Sequence, residues 1–103
     1  MAKFLNLQAN VTISVMVENG SLTFFWGDTN KVIIDNADFT TSQQLALPPG
    51  QYPFQWRVDG QSGITRYSIR VMINGKIVPG TSIGPRVLDG GNNSNFGGGV
   101  INI

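Results

Sequence analysis

The feature that most limits what this chain can become is a period-two alternation of apolar and polar residues. From Leu5 the odd positions read Leu5, Leu7, Ala9, Val11, Ile13, Val15 and Val17, while the even ones read Asn6, Gln8, Asn10, Thr12, Ser14, Met16 and Glu18. Tyr52, Phe54, Trp56 and Val58 repeat the pattern, as do Tyr67, Ile69, Val71 and Ile73. Successive side chains of a strand point to opposite faces, so each stretch buries one face and wets the other. With no amphipathic helical window beside them, these stretches predict an all-β fold. The expected form is an antiparallel β-sandwich built from consecutive hairpins, with a small barrel as the alternative.

Turn residues divide the alternation. Asn19-Gly20 tolerates the positive φ angles of a two-residue hairpin turn, and with Glu18 opposite Ser21, Val17 faces Leu22, Val15 faces Phe24 and Ile13 faces Trp26. The run from Leu5 to Val17 exceeds a usual strand of about 5 or 6 residues, so a bend or bulge is expected near Ala9 and Asn10. Gly27 to Asn30 reads as a turn, Lys31 to Ile34 as a short strand, Asp35 to Asp38 as a break and Phe39 to Leu47 as a strand. Pro48 to Asn74 is predicted as a central hairpin in which Val58 pairs with Thr65, Trp56 with Tyr67, Phe54 with Ile69 and Tyr52 with Val71. That register sets Arg57 opposite Arg66. Asn74-Gly75 signals another hairpin, with Val78 opposite Val71. Thr81 to Leu88 holds Gly84-Pro85 and fits a short edge segment. The tail then loops until Val100 to Ile103, a final strand.

At 103 residues the chain is expected to be one domain, 1–103, large enough for a hydrophobic core without metal or disulfide support. Charged residues make up 13%, about half the usual share, and the net charge is +1, which argues against a nucleic-acid partner and disfavours a membrane surface. Cysteine and histidine are both absent, which removes disulfides, thiolate metal sites, Ser-His and Cys-His pairs and zinc-histidine sites. Nearly all of the aspartates fall in turn contexts that favour Asp for backbone reasons, so catalysis is not expected. The segment MAKFLNLQAN has no apolar core of a signal peptide, and no run approaches the roughly 18 apolar residues of a spanning helix. The compartment stays open, with an extracellular or cell-surface setting favoured.

Pro49-Gly50-Gln51-Tyr52 leading to Trp56-Arg57-Val58, and then Tyr67-Ser68-Ile69-Arg70-Val71, resembles the G-x-Y strand and long partner strand of bacterial immunoglobulin-like and fibronectin-III-like modules. The resemblance covers about a quarter of the chain. It implies an immunoglobulin-like sandwich and a binding, spacer or adhesive role rather than catalysis. The absence of the antibody-type disulfide pair departs from true antibody domains.

Several side chains stand out as candidates for contact. Arg57, Arg66 and Arg70 would share the outward face of the central hairpin with Gln55 and Ser68, an array suited to a carboxylate or sulfate, although a solvated face is the plainer reading. A carboxylate such as Asp59 would explain how two facing arginines are tolerated. Phe25 and Phe96 are the aromatics expected to reach solvent and stack on a sugar, whereas Trp26 and Trp56 read as core. Asp89, Asn92 and Asn93 offer oxygen ligands for calcium, but Gly and Asn that simply turn the chain account for the same residues. The leading expectation is a non-catalytic module that binds a glycan or another polar or anionic surface, lectin-like or adhesive. The alternative is a structural, self-assembling domain of a fibre, surface layer or virion, a homo-oligomer joined by open edges near Ile77 and Val100 to Ile103. A membrane-active hairpin over Asn10 to Phe24 is a further alternative.

Overall fold

The computed structural model describes residues 8–37, 39–78, 81–88 and 93–103. The alternating stretches are strands, and nine are formed among the described residues: β1 (Ala9–Glu18), β2 (Gly20–Trp26), β3 (Val32–Ala37), β4 (Thr40–Leu47), β5 (Gln51–Gly60), β6 (Thr65–Ile73), β7 (Lys76–Ile77), β8 (Ile83–Leu88) and β9 (Ser94–Asn102). They make two antiparallel sheets that pack against each other as an all-β sandwich. One runs β4-β1-β6-β7, with β8 also paired to β6, and the other runs β3-β2-β5-β9.

The core is where the alternation placed it. Val11, Ile13, Val15 and Val17 of β1 and Tyr67, Ile69 and Val71 of β6 face Leu22 and Phe24 of β2 and Phe54, Trp56 and Val58 of β5 in one buried cluster. Phe24 stacks on Phe54 with ring centroids 5.0 Å apart, and Trp56 meets Tyr67 at 5.7 Å. Trp56 is buried and Trp26 packs partly buried against the same cluster, as expected of core tryptophans. At about 25 cal/mol per Å² of apolar surface, burying one indole contributes roughly 4–6 kcal/mol. That exceeds the roughly 1–3 kcal/mol cost of Trp56 Nε1, which is buried with no hydrogen-bond partner among the described residues.

The hairpins between consecutive strands are β2–β3, with a bulge at Phe24/Phe25, and β6–β7, where Met72 pairs with Ile77 and Ile73 with Lys76. The pairings expected at Asn19-Gly20 and across Pro48 to Asn74 are replaced. β1 pairs with β4 and β6, and β2 with β3 and β5, so the chain crosses from one sheet to the other at Asn19. It also changes sheet between β3 and β4, between β4 and β5, between β5 and β6 and between β8 and β9. Inward residues predicted to be neighbours along a ladder therefore meet across the core, as Trp56 and Tyr67 do. The crossings at Asn19 and between β5 and β6 are tied together: Thr65 Oγ1 donates to the Asn19 carbonyl at 2.6 Å, and Asn19 Nδ2 donates to the carbonyls of Ser62 and Ile64 at 3.0 and 3.2 Å. Thr65 is fully buried, and this bond is what makes its hydroxyl tolerable there.

Three boundaries also differ from expectation. β3 continues through Asp35 to Ala37 because Ser21 to Phe24 offer a ladder to pair with. β1 begins at Ala9, and the expected bend falls at the limit of the described residues, since 1–7 lie outside them. β9 starts at Ser94, well before Val100, and pairs with β5 along its whole length. Its three glycines, which read as loop, are there for space. A Cβ on Gly97 would sit 2.7 Å from Trp56 Cζ2, and one on Gly99 would sit 2.9 Å from Phe54 Cζ.

Candidate functional site

Because Phe54, Trp56 and Val58 are taken by the core, β5 turns Gln55 and Arg57 to the outer face of its sheet. Cross-strand register then fixes their neighbours. Phe25 of β2, Gln55 and Gly98 of β9 form one row, and Thr23, Arg57 and Phe96 form the next. Phe96 is 79% exposed and Val100 42%, on either side of Gly98, which has no side chain. A Cβ at Gly98 would come within 2.5 Å of the Phe54 carbonyl oxygen, so the notch between Phe96 and Val100 is built into the backbone. Phe25, Gln55, Arg57, Phe96, Gly98 and Val100 line an open groove of about 1010 Å³, with Asp28 and Ser94 also on its walls. Arg57 is held from one side, its Nε donating to Asp59 Oδ1 at 3.0 Å.

Four of the residues singled out from the sequence, Phe25, Gln55, Arg57 and Phe96, thus share one groove. Phe25 is half-buried rather than fully exposed. Arg66 and Arg70 do not join them. They lie on the outer face of the other sheet, Arg66 opposite Glu18 and Val87, and Arg70 opposite Ser14. The expected Arg57–Arg66 confrontation therefore does not exist, because β5 and β6 are in different sheets. Arg66 Nη1 instead approaches Glu18 Oε2 at 4.0 Å, an exposed pair of the kind that contributes about 0–1 kcal/mol. Asp59 does pair with Arg57, but with no facing arginine for it to offset. Of the calcium candidates, Asp89 and Asn92 lie outside the described residues. Asn93 is exposed, and its carbonyl accepts the Gly60 N–H at 2.6 Å. Among the described residues no group of three or more His, Cys, Asp or Glu is placed to hold a metal ion.

Sequence reasoning missed Gly98, Val100 and Asp28 as parts of the site. The signal for the first two was present: Phe96, Gly98 and Val100 alternate as one strand face, hidden by the low strand propensity of Gly97 to Gly99. The strands once expected to form a membrane-active hairpin, β1 and β2, are not paired with each other, and their apolar faces are buried in the core. No helix among the described residues is long and apolar enough to cross a membrane. The chain matches no protein-family model, no curated protein and no solved structure.

Proposed function

We propose that this protein is a non-catalytic recognition module that binds a glycan in the groove on the outer face of the β3-β2-β5-β9 sheet. The observation that carries this reading is the placing of the strongly exposed Phe96 next to Arg57 and Gln55, above a side-chain-free notch at Gly98. An exposed aromatic face stacks on the C–H surface of a pyranose, and a guanidinium and an amide beside it bind ring hydroxyls or a carboxylate. Asp59 engages Arg57 through Nε, which leaves the two terminal nitrogens as the pair suited to a bidentate ligand. Cleavage of a glycosidic bond ordinarily needs two carboxyl groups flanking it, and among the described residues Asp28 is the one carboxylate on the groove wall. This favours binding without turnover.

Calorimetric titration with a panel of neutral and acidic oligosaccharides tests the proposal. Binding is expected for at least one class, weakened tenfold or more by Phe96→Ala and by Arg57→Ala, and unchanged by Arg66→Ala or Arg70→Ala on the opposite sheet. Silence across the panel, or equal loss from arginines on both sheets, would count against the groove as the site.

A further inference from the structure

The edges of the two sheets are not alike. β8 carries Pro85 and Arg86, β7 is two residues long with Lys76, and β3 holds Asp35, all devices that keep an edge from pairing with another chain. β9 has none of them. Its nine residues, Ser94 to Asn102, contain no charge and no proline, and among the described residues it pairs with β5 alone. β4 is also free of charge, but none of its residues is a strongly exposed large apolar one, whereas β9 shows Phe96 and Val100 to solvent.

The direction of β9's backbone groups follows from its ladder. Gly50 and Ile103 exchange both N–H···O bonds, at 3.2 and 2.9 Å. Bonded and non-bonded pairs alternate in an antiparallel ladder. The odd positions of β9 therefore face β5, while Ser94, Phe96, Gly98, Val100 and Asn102 turn their N–H and C=O groups to the free side. Pro53, opposite Val100, fits this parity, because its missing N–H falls at a non-bonded pair.

We infer that β9 pairs antiparallel with β9 of a second copy of this chain, about a two-fold axis through Gly98. In that register Gly98 meets Gly98, Phe96 meets Val100 twice and Ser94 meets Asn102 twice, and every one of these is an outward-facing position. The parity therefore works without a shift. The segment Phe96-Gly-Gly-Gly-Val100 is symmetric in shape about its centre, so each exposed Phe96 packs beside the other copy's Val100 on one face of a continuous eight-stranded sheet. No like charges meet: Arg57 continues through Phe96 to Val100 and Pro53 of the second copy, and Asp59 through Ser94 to Asn102 and Gln51. The Phe96 N–H already bonds Asn95 Oδ1 at 3.0 Å, so the ladder rests on the N–H groups of Ser94, Gly98, Val100 and Asn102. A nine-residue strand is about 30 Å long and a sheet layer about 10 Å deep, a contact below the roughly 1,000 Å² that a stable interface ordinarily clears. The dimer is therefore reversible and depends on concentration. It also brings the two grooves together across the axis. That consequence rests on the glycan reading, while the pairing itself does not.

Sedimentation velocity over a rising concentration series, without any sugar, is expected to show a monomer passing to a dimer and no further. Val100→Pro removes an N–H that β5 does not use, and it is expected to weaken dimerisation at least tenfold with the far-ultraviolet circular dichroism of the monomer retained. Should that variant fail to fold, cysteines read the register directly, since the chain has none of its own. Mixing Phe96→Cys with Val100→Cys is expected to give a disulfide between the two variants, in excess over either variant oxidised alone. A monomer at all concentrations, polymers larger than a dimer, undiminished association of folded Val100→Pro, or equal cross-linking in the unmixed variants would each overturn the inference. Failure of glycan binding would leave it standing.

Discussion

Asn19-Gly20 and Asn74-Gly75 are the same dipeptide, flanked in both cases by alternating strands, and they do different things. Asn74 and Gly75 both have positive φ, 51° and 83°, and close the β6–β7 hairpin. At the other site only Asn19 does, at 61°, and Gly20 is already the first residue of β2 in the opposite sheet. The glycines are needed for different reasons. A Cβ at Gly75 would meet nothing within 4 Å, so conformation alone selects glycine there, whereas at Gly20 it would lie 2.5 Å from the Asp59 carbonyl oxygen and 2.9 Å from Thr65 Cγ2. Local turn chemistry sets where the chain reverses. What packs beside the turn decides whether it reverses within a sheet or between sheets.

Substitutions can break or sharpen this contrast, and chemical denaturation monitored by tryptophan fluorescence reads them all. The largest effect is expected for Gly20→Ala, about 3 kcal/mol of destabilisation, because the obstructing atom at 2.5 Å is backbone and cannot swing away. Gly75→Ala, limited to the strain of a positive φ, is expected to cost about 1 kcal/mol. Equal costs at the two glycines would erase the distinction between a packed crossing and an open hairpin turn. Thr65→Val keeps the shape but removes the hydroxyl that links the crossings, and a loss of about 2 kcal/mol is expected. A neutral result would mean that the crossings hold without their link. The smallest difference is between Asn19→Ala and Asn74→Ala. Both lose a residue tolerant of positive φ, but Asn19 gives up two donor bonds, to the carbonyls of Ser62 and Ile64, where Asn74 gives up one, the bond its Oδ1 accepts from the Asn10 N–H at 3.0 Å, so Asn19→Ala is expected to cost about 0.5 kcal/mol more.

The groove was half legible for the same reasons. Gln55 and Arg57 could be assigned outward because Phe54, Trp56 and Val58 alternate with them, and Phe25 because it lies between Phe24 and Trp26. Nothing local says that Phe96 lies next to Arg57, since that neighbour relation joins residues far apart in the chain. The same gap explains the error over Arg66 and Arg70. Their outward direction was right, but a hairpin was assumed where the chain changes sheets, and the outward faces of two opposed sheets point in opposite directions.

The sequence by itself determined that the fold is all-β, which side chains enter the core and where most turns fall. These follow from the pleat and from backbone torsions, which each residue and its immediate neighbours decide. Only the tertiary structure decided which strands share hydrogen bonds, that Gly97 to Gly99 belong to a strand, and which outward residues meet. A hairpin and a crossing between sheets bury the same alternating residues, so hydrophobic pattern cannot separate them. The distinction lies in backbone partners from distant segments, such as β5 between β2 and β9, and in the space that Trp56 and Phe54 leave beside the glycines.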